Sequence, residues 1–254
     1  MYEERPSRLP GAVVWEISRS EGRPVLPDGC MDLIWTPGDL FVAGPDTRAH
    51  PGGDRPPGAR YAGVRLAPGT APALLGVPAH ELRDRRVPLA DLRGAARARS
   101  LTARLDAAPD PVTALERIVL RAAADAPEPP DPLIAEVVRR LAEGTPVAVT
   151  AAAVGLGERR LHRRSLHAFG YGPKTLARVL RLQRALALIR RGTPHAVAAA
   201  AVGCADQAHL ARETRALAGT TLSAYAASLP APAGSGEASA KRETPRPSGS
   251  RTTA

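Results

Sequence analysis

The pentapeptide AAAVG occurs twice, at 151–155 and at 199–203, 48 residues apart, and the residues downstream of each copy also correspond. Gly155 is followed by LGERRLHRRSLHAFG, ending at Gly170, and Gly203 by CADQAHLARETRALAG, ending at Gly219. Each unit reads as a short apolar helix, a tight turn permitted by glycine, and a second helix with an apolar spine and a polar face. That is the sequence grammar of a helix-turn-helix, written twice. Leu161, Phe169 and Leu210 are expected in the core of these units. Gly155 and Gly203 are expected at the inner turns, and Gly170 and Gly219 at the exits. Arg159, His162 and Arg163 would point outward from the first unit, and Gln207, His209 and Arg212 from the second.

Between the repeats runs PKTLARVLRLQRALALIRRG (173–192), in which Leu176, Val179, Leu180, Gln183 and Leu186 share a stripe. The spacing predicts one continuous helix of about 19 residues, or roughly 28 Å. A rod of that length can hold two recognition helices about one DNA turn, roughly 34 Å, apart on one face of a duplex.

Charge points the same way. The chain has 35 Lys+Arg, all arginine except Lys174 and Lys241, and much Ala, Gly and Pro, so nucleotide bias alone explains a high arginine count. Bias should spread evenly, however. Residues 1–130 carry 17 basic and 17 acidic residues, whereas 131–229 carry 14 basic and 6 acidic. An excess confined to one segment is the footprint of a nucleic-acid-binding domain, although Arg159/Arg160 and Arg163/Arg164 at i, i+4 would also suit a solvated helix face.

The rest of the chain organises around this segment. VVWEI (13–17), MDLIW (31–35), LFVAG (40–44) and YAGVRL (61–66) read as short strands, the middle pair forming a hairpin about Thr36–Asp39. From 71 the texture turns helical, with two or three helices before APEPPDP (126–132), which marks a boundary. The expected fold class is α+β, mainly α. A small N-terminal domain, 1–127, is β-rich over 10–68 and helical over 70–124. An all-α domain occupies 131–229, with helix-turn-helix units at about 147–170 and 195–219 joined by the long helix. Residues 230–254, rich in Pro, Gly, Ser and Thr, are expected to be disordered. No apolar run approaches the ~20 residues of a membrane helix, and MYEERPSRLPG lacks a signal-peptide core, so a cytoplasmic protein is expected. Two cysteines, Cys30 and Cys204, make neither a disulfide framework nor a four-cysteine zinc site.

With these features in place, residues 133–229 resemble the DNA-binding domain of the AraC/XylS family of transcriptional regulators. The leucine falls six residues after the glycine in the first unit (Gly155, Leu161) and seven in the second (Gly203, Leu210), and ADQAHLARETRALAGTTLSAY (205–225) resembles the family signature. The chain departs from the family in having Ser165 and Thr214 at usual aromatic core positions and Leu222 at a usual proline. The resemblance implies that Arg159, His162 and Arg163, and Gln207, Ala208, His209 and Arg212, face the major groove, where Arg suits guanine and Gln suits adenine. Arg164, Lys174, Arg178 and Arg215 are expected at phosphates or as solvated charges. Asp206 is expected to cap its helix, and Arg160 is left unassigned. Double-stranded DNA is the expected partner, and the family admits a small-molecule effector and RNA polymerase. No cofactor, metal, catalysis or membrane partner is expected, and monomer and homodimer both remain open.

LPDGCMDLIW (26–35) invites a second reading. Asp28, Cys30 and Asp32 alternate, with His50 beyond, which would suit a metal site or a cysteine nucleophile with a histidine base. The structural alternative is a turn at Pro27-Asp28-Gly29 leading into a strand, with Cys30 small and buried. By resemblance this half is similar to the N-terminal domain of a group of actinobacterial AraC-type regulators, and in many members of the wider family that half is a ligand-sensing, dimerising β-barrel. Here the strands look too few for a barrel. Trp15, Trp35, Phe41 and Tyr61 are core residues or the lining of a pocket. A basic helical protein without sequence specificity, or a Cys30-dependent enzyme fused to a DNA-binding domain, are the competing functions. A repair methyltransferase, whose zinc needs four cysteines, is excluded.

Overall fold

A computed structural model describes residues 2–18, 24–51 and 59–227. The expectation of disorder over 230–254 lies outside the described residues.

Six strands form one antiparallel sheet: β1 (Tyr2–Pro6), β2 (Val13–Ile17), β3 (Met31–Thr36), β4 (Asp39–Ala43), β5 (Tyr61–Leu66) and β6 (Arg86–Pro88), in the order β1-β2-β5-β3-β4-β6. The hairpin read from the sequence is β3–β4, in which Thr36 pairs with Asp39 and Leu33 with Val42. Its two-residue turn needs Gly38 at φ 82°, a value that costs an L side chain but not glycine. Sequence patterning does not reveal β1, which is too polar to look like a strand, or β6, which interrupts the stretch expected to be helical. Leu33, Trp35, Val42, Ala62, Val64 and Leu66 are buried on one face of the sheet. Trp15, Ile34 and Ala43 form a smaller buried group, with Phe41 and Tyr61 packed against it. The four aromatics therefore do not share a pocket. Trp35 packs with the main core, its indole donating to Asp106 at 2.9 Å, while Trp15, Phe41 and Tyr61 belong to the smaller group.

Four helices, rather than two or three, cover the main core: α1 (Ala71–Leu75), α2 (Leu89–Arg93), α3 (Ala95–Asp106) and α4 (Pro111–Ala124), with a single 3-10 turn at Ala79–Glu81. Pro111 at N1 and the Asp110 carboxylate, which accepts from the Thr113 amide, start α4. Buried Glu116 on α4 ties down β1, accepting from Arg5 at 2.9 Å, the Ser7 hydroxyl at 2.9 Å and the Arg8 amide at 2.7 Å.

After the Pro-rich stretch come α5 (Pro132–Ala142), α6 (Val147–Ala153), α7 (Glu158–Phe169), α8 (Pro173–Arg190), α9 (His195–Ala201), α10 (Gln207–Ala218) and α11 (Leu222–Ala227). The long helix is α8, at 18 residues. Its buried face is Leu176, Val179, Leu182, Ala185, Leu186 and Ile189, rotated from the expected stripe through Leu180 and Gln183. Those two are half-buried because α8 is packed on several sides, by α5, α9 and α10 and by the N-terminal half. Two apolar clusters, one around Leu161 and Leu176 and one around Leu186 and Leu210, are strung along this helix.

Candidate nucleic-acid interface

The two repeats fold alike. In each, a proline precedes a seven-residue helix, α6 after Pro146 and α9 after Pro194. In each, the helix ends on a left-handed glycine, Gly155 at φ 67° and Gly203 at φ 77°. The Leu156 amide returns to the Ala151 carbonyl at 2.9 Å, and the Cys204 amide to that of Ala199 at 2.9 Å. This pair of six-to-one bonds is the Schellman ending that only a residue tolerant of positive φ permits. The second helices, α7 and α10, end on Gly170 at φ 80° and Gly219 at φ 66°. Leu161, Phe169 and Leu210 are fully buried. Ser165 and Thr214, where the family usually has aromatics, are fully buried too, and the Thr214 hydroxyl bonds the Leu210 carbonyl at 2.9 Å. Phe169 fills space against Gly69, where a Cβ would come within 3.0 Å of its ring.

Arg159, Arg160, His162, Arg163 and Arg164 are exposed on α7, and Gln207, Ala208, Arg212 and Arg215 on α10. Lys174 is exposed at the start of α8. The imidazole of His162 lies over the turn into α8, so close that a Cβ on Gly172 would sit 2.7 Å from the ring. His209 is half-buried, and its Nδ1 accepts from the Ala205 amide at 3.4 Å. Asp206 caps α10 by accepting from the His209 amide at 2.6 Å. Two of the expected phosphate ligands carry partners: Arg164 reaches Asp131 at 3.1 Å, and the Arg178 Nε donates to Glu213 at 3.0 Å. Arg181 joins Glu213 at 3.3 Å, knotting α8 to α10.

Residues that sequence patterning does not single out contact the C-terminal ends of α7 and α10. The C-terminal end of α7 is gripped by the N-terminal half. A Cβ at Gly170 would lie 2.7 Å from Pro45 and 3.1 Å from the Ala79 carbonyl oxygen. The end of α10 is met by the same loop, where the Ala49 amide donates to the Leu217 carbonyl at 2.6 Å. Residues 45–49 thus touch both recognition helices. No periodicity could have signalled this, since the contact is made by backbone and a proline ring.

The LPDGC motif lies at this junction. The Asp28 carboxylate accepts from the Cys30 amide at 2.8 Å, which makes the turn. Arg65 sits 3.4 Å from Asp28 and 3.6 Å from Asp32, and Trp15 donates to Asp32 at 2.6 Å. Burial pushes the Cys30 thiol well up, and the two carboxylates push it further. A thiol held protonated is a poor nucleophile. His50 pairs through its backbone with Val25, and its ring bonds the Pro51 carbonyl at 2.6 Å. These contacts favour the structural reading of the motif. Tyr171 of the DNA-binding half is buried near the same acids, its phenol pushed up first by burial and then by Asp28.

Among the described residues, Cys204, His209 and Glu213 also converge, their ligand atoms within 4.8 Å of one another. Spacing of His and Glu at i, i+4 suits a metal. Here, however, Arg178 and Arg181 already neutralise Glu213, and burial raises the Cys204 thiol. The group reads as a packing knot.

Residues 150–228 match the family model described as Helix-turn-helix domain, of AraC type. Residues 150–228 are a helix-turn-helix DNA-binding domain of the AraC type. Its N-terminal half matches, over residues 12–88, the model described as Domain of unknown function (DUF6597). That span runs from β2 to β6 and includes the LPDGC motif. Comparison with curated proteins gives no match. Among solved structures, an apo point variant of ToxT from Vibrio cholerae strain SCE256 is similar at 10% identity, covering 87% of this chain and 98% of that one, with a TM-score of 0.46. ToxT from Vibrio cholerae O395 is similar at 7% identity, covering 89% and 96%, with a TM-score of 0.45. No helix among the described residues is long and apolar enough to cross a membrane.

Proposed function

We propose that the protein regulates transcription by reading two adjacent major-groove segments of one duplex, α7 in one and α10 in the other. The observation that carries this reading is the pair of matching helix-turn-helix units at the two ends of α8, a single unbroken helix of 18 residues, or about 27 Å. Arg159, His162 and Arg163 read bases from α7, and Gln207, His209 and Arg212 from α10, with Arg on guanine and Gln on adenine. Lys174 and Arg215 hold phosphates. Arg164 and Arg178 add phosphate contacts through the guanidinium N–H groups that Asp131 and Glu213 leave free. His209 contributes through the ring edge opposite the Ala205 amide.

The N-terminal half sets the angle between the two readers through residues 45–49 and acts as the sensor of a small molecule. Non-specific binding is the competing reading. It is disfavoured by the different side chains the two helices expose, Arg and His on one and Gln, His and Arg on the other. Selection of bound sites from random duplex DNA by the full chain tests the proposal. Two enriched elements about one helical turn apart support it. Binding without any enrichment would make the protein a basic helical binder.

A further inference from the structure

A cleft of about 550 Å³ opens between the helical face of the sheet and α1–α4. Its apolar lining includes Leu33 and Leu66 from the sheet, Leu74 and Leu75 from α1, and Leu101 and Ile118 from α3 and α4. Its remaining lining is strongly one-signed. Arg93, Arg97, Arg104, Arg117 and Arg121 converge on it, against one acid, Asp125. Arg97, Leu101 and Arg104 succeed one another at helical spacing on α3, and Arg117 and Arg121 lie one turn apart on α4, so both helices turn a basic face to the same gap.

Composition does not account for this. Residues 1–130 are balanced at 17 basic and 17 acidic, and outside the cleft Arg5 pairs with Glu116, Arg60 with Glu16 and Arg86 with Asp46. At the cleft, Arg121 has only a 3.8 Å exposed approach to Asp125, and Arg93 spans the Leu74 and Leu75 carbonyls at 3.4 Å. Arg97, Arg104 and Arg117 make no ion pair among the described residues. Guanidinium groups gathered without counter-charge repel one another, and an anion that enters between them relieves the repulsion and gains charge-assisted hydrogen bonds. The leucines ask for an apolar body, and the volume lies in the range of sites for small organic ligands.

We propose that this cleft binds a soluble amphiphilic anion, an apolar body carrying one carboxylate, sulfonate or phosphate group. The apolar part lies on the leucine floor, and the head group lies between Arg104 of α3 and Arg117 of α4. The inference deepens the proposed sensor role of this half and rests on it for its regulatory consequence. Helix α1, which supplies Leu74 and Leu75, also packs against α7, so the ligand sits one helix away from a DNA reader.

The test is calorimetric titration of the full chain, without DNA, using 1-decanesulfonate, decanol and decylammonium below their micellar concentrations. One-to-one binding of the sulfonate, at least about tenfold tighter than the alcohol and with no binding of the ammonium, is expected. The double variant Arg104→Gln/Arg117→Gln should lose about tenfold or more for the sulfonate while its affinity for decanol and its circular dichroism stay unchanged. Equal binding of sulfonate and alcohol, or an unaffected double variant, overturns the proposal. Binding to anionic phosphatidylglycerol vesicles without binding of free decanesulfonate overturns it in favour of a lipid surface. Repeating the DNA titration with saturating decanesulfonate separates the two claims. A ligand that binds but leaves DNA affinity unchanged keeps the cleft and removes its sensor role.

Discussion

The side-chain amide of Gln183, midway along α8, donates to the backbone carbonyl of Pro27 at 2.6 Å, joining the helix that links the two helix-turn-helix units to the turn of the LPDGC motif. Beside it, a Cβ on Gly29 would lie 3.1 Å from Leu176. Gln183→Ala leaves that half-buried carbonyl without its donor, a loss of about 1–2 kcal/mol. Hydrogen exchange should accelerate at residues 25–30 while the buried face of α8 stays protected. Unchanged exchange at 25–30 would mean that the junction is held without this bond.

Base readers and phosphate holders should separate on mutation. Arg163→Ala and Arg212→Ala each should cost roughly 1–3 kcal/mol on a selected site and little on scrambled duplex. Lys174→Ala should weaken both alike and reduce the salt slope by about 0.9. Equal losses on both DNAs for all three variants would dissolve the division of roles.

Gly203 and Gly63 predict opposite kinds of damage. A Cβ at Gly203 meets nothing within 4 Å, so Gly203→Ala pays only for φ at 77°, about 1–2 kcal/mol, and should fold with weakened DNA binding by α10. At Gly63 the Cβ would lie 2.2 Å from the indole of Trp15. Gly63→Ala must therefore displace the ring and break its bond to Asp32, and a blue-to-red shift in tryptophan emission on exposure would report it.

Two carboxylates, Glu116 buried and Asp32 partly buried, give the stability of the N-terminal half opposite pH dependences. Glu116 is held down at about 2, against its burial, by bonds from Arg5, Arg8 and Ser7, so its contribution is complete above about 4.5 and is lost as pH falls towards 2. Asp32 is pushed up to about 6, chiefly by burial and against the pull of Arg65. There the folded protein holds the proton more tightly than the unfolded chain does, so this group withdraws stability as pH rises from about 4 to about 6. Asp32→Asn should remove the fall over that window, and Glu116→Gln the acid loss below about 4.5. Denaturant midpoints against pH measure both.

The DNA-binding half was legible in the sequence because its information is local. A helix-turn-helix is set by a glycine at the positive-φ turn, a leucine six or seven residues on and a 3.6-residue stripe, all within a window of about 25 residues, and the repeat supplied its own control. The division of outward and inward side chains on α7 came from the same periodicity. What the window could not hold was everything decided by contact across the chain. Strand β1 is a strand only because it pairs with β2 and because Glu116, more than a hundred residues away, binds its exit. His209 looks outward on a helical wheel but is half-turned inward by the Ala205 amide. Arg178 looks free but faces Glu213, and the ends of α7 and α10 are both met by a loop, 45–49, whose own sequence carries no periodic signal. Periodicity reports which side of an element is buried. Only the packed structure reports against what, because ion pairs and backbone contacts between distant segments depend on positions that no local spacing encodes.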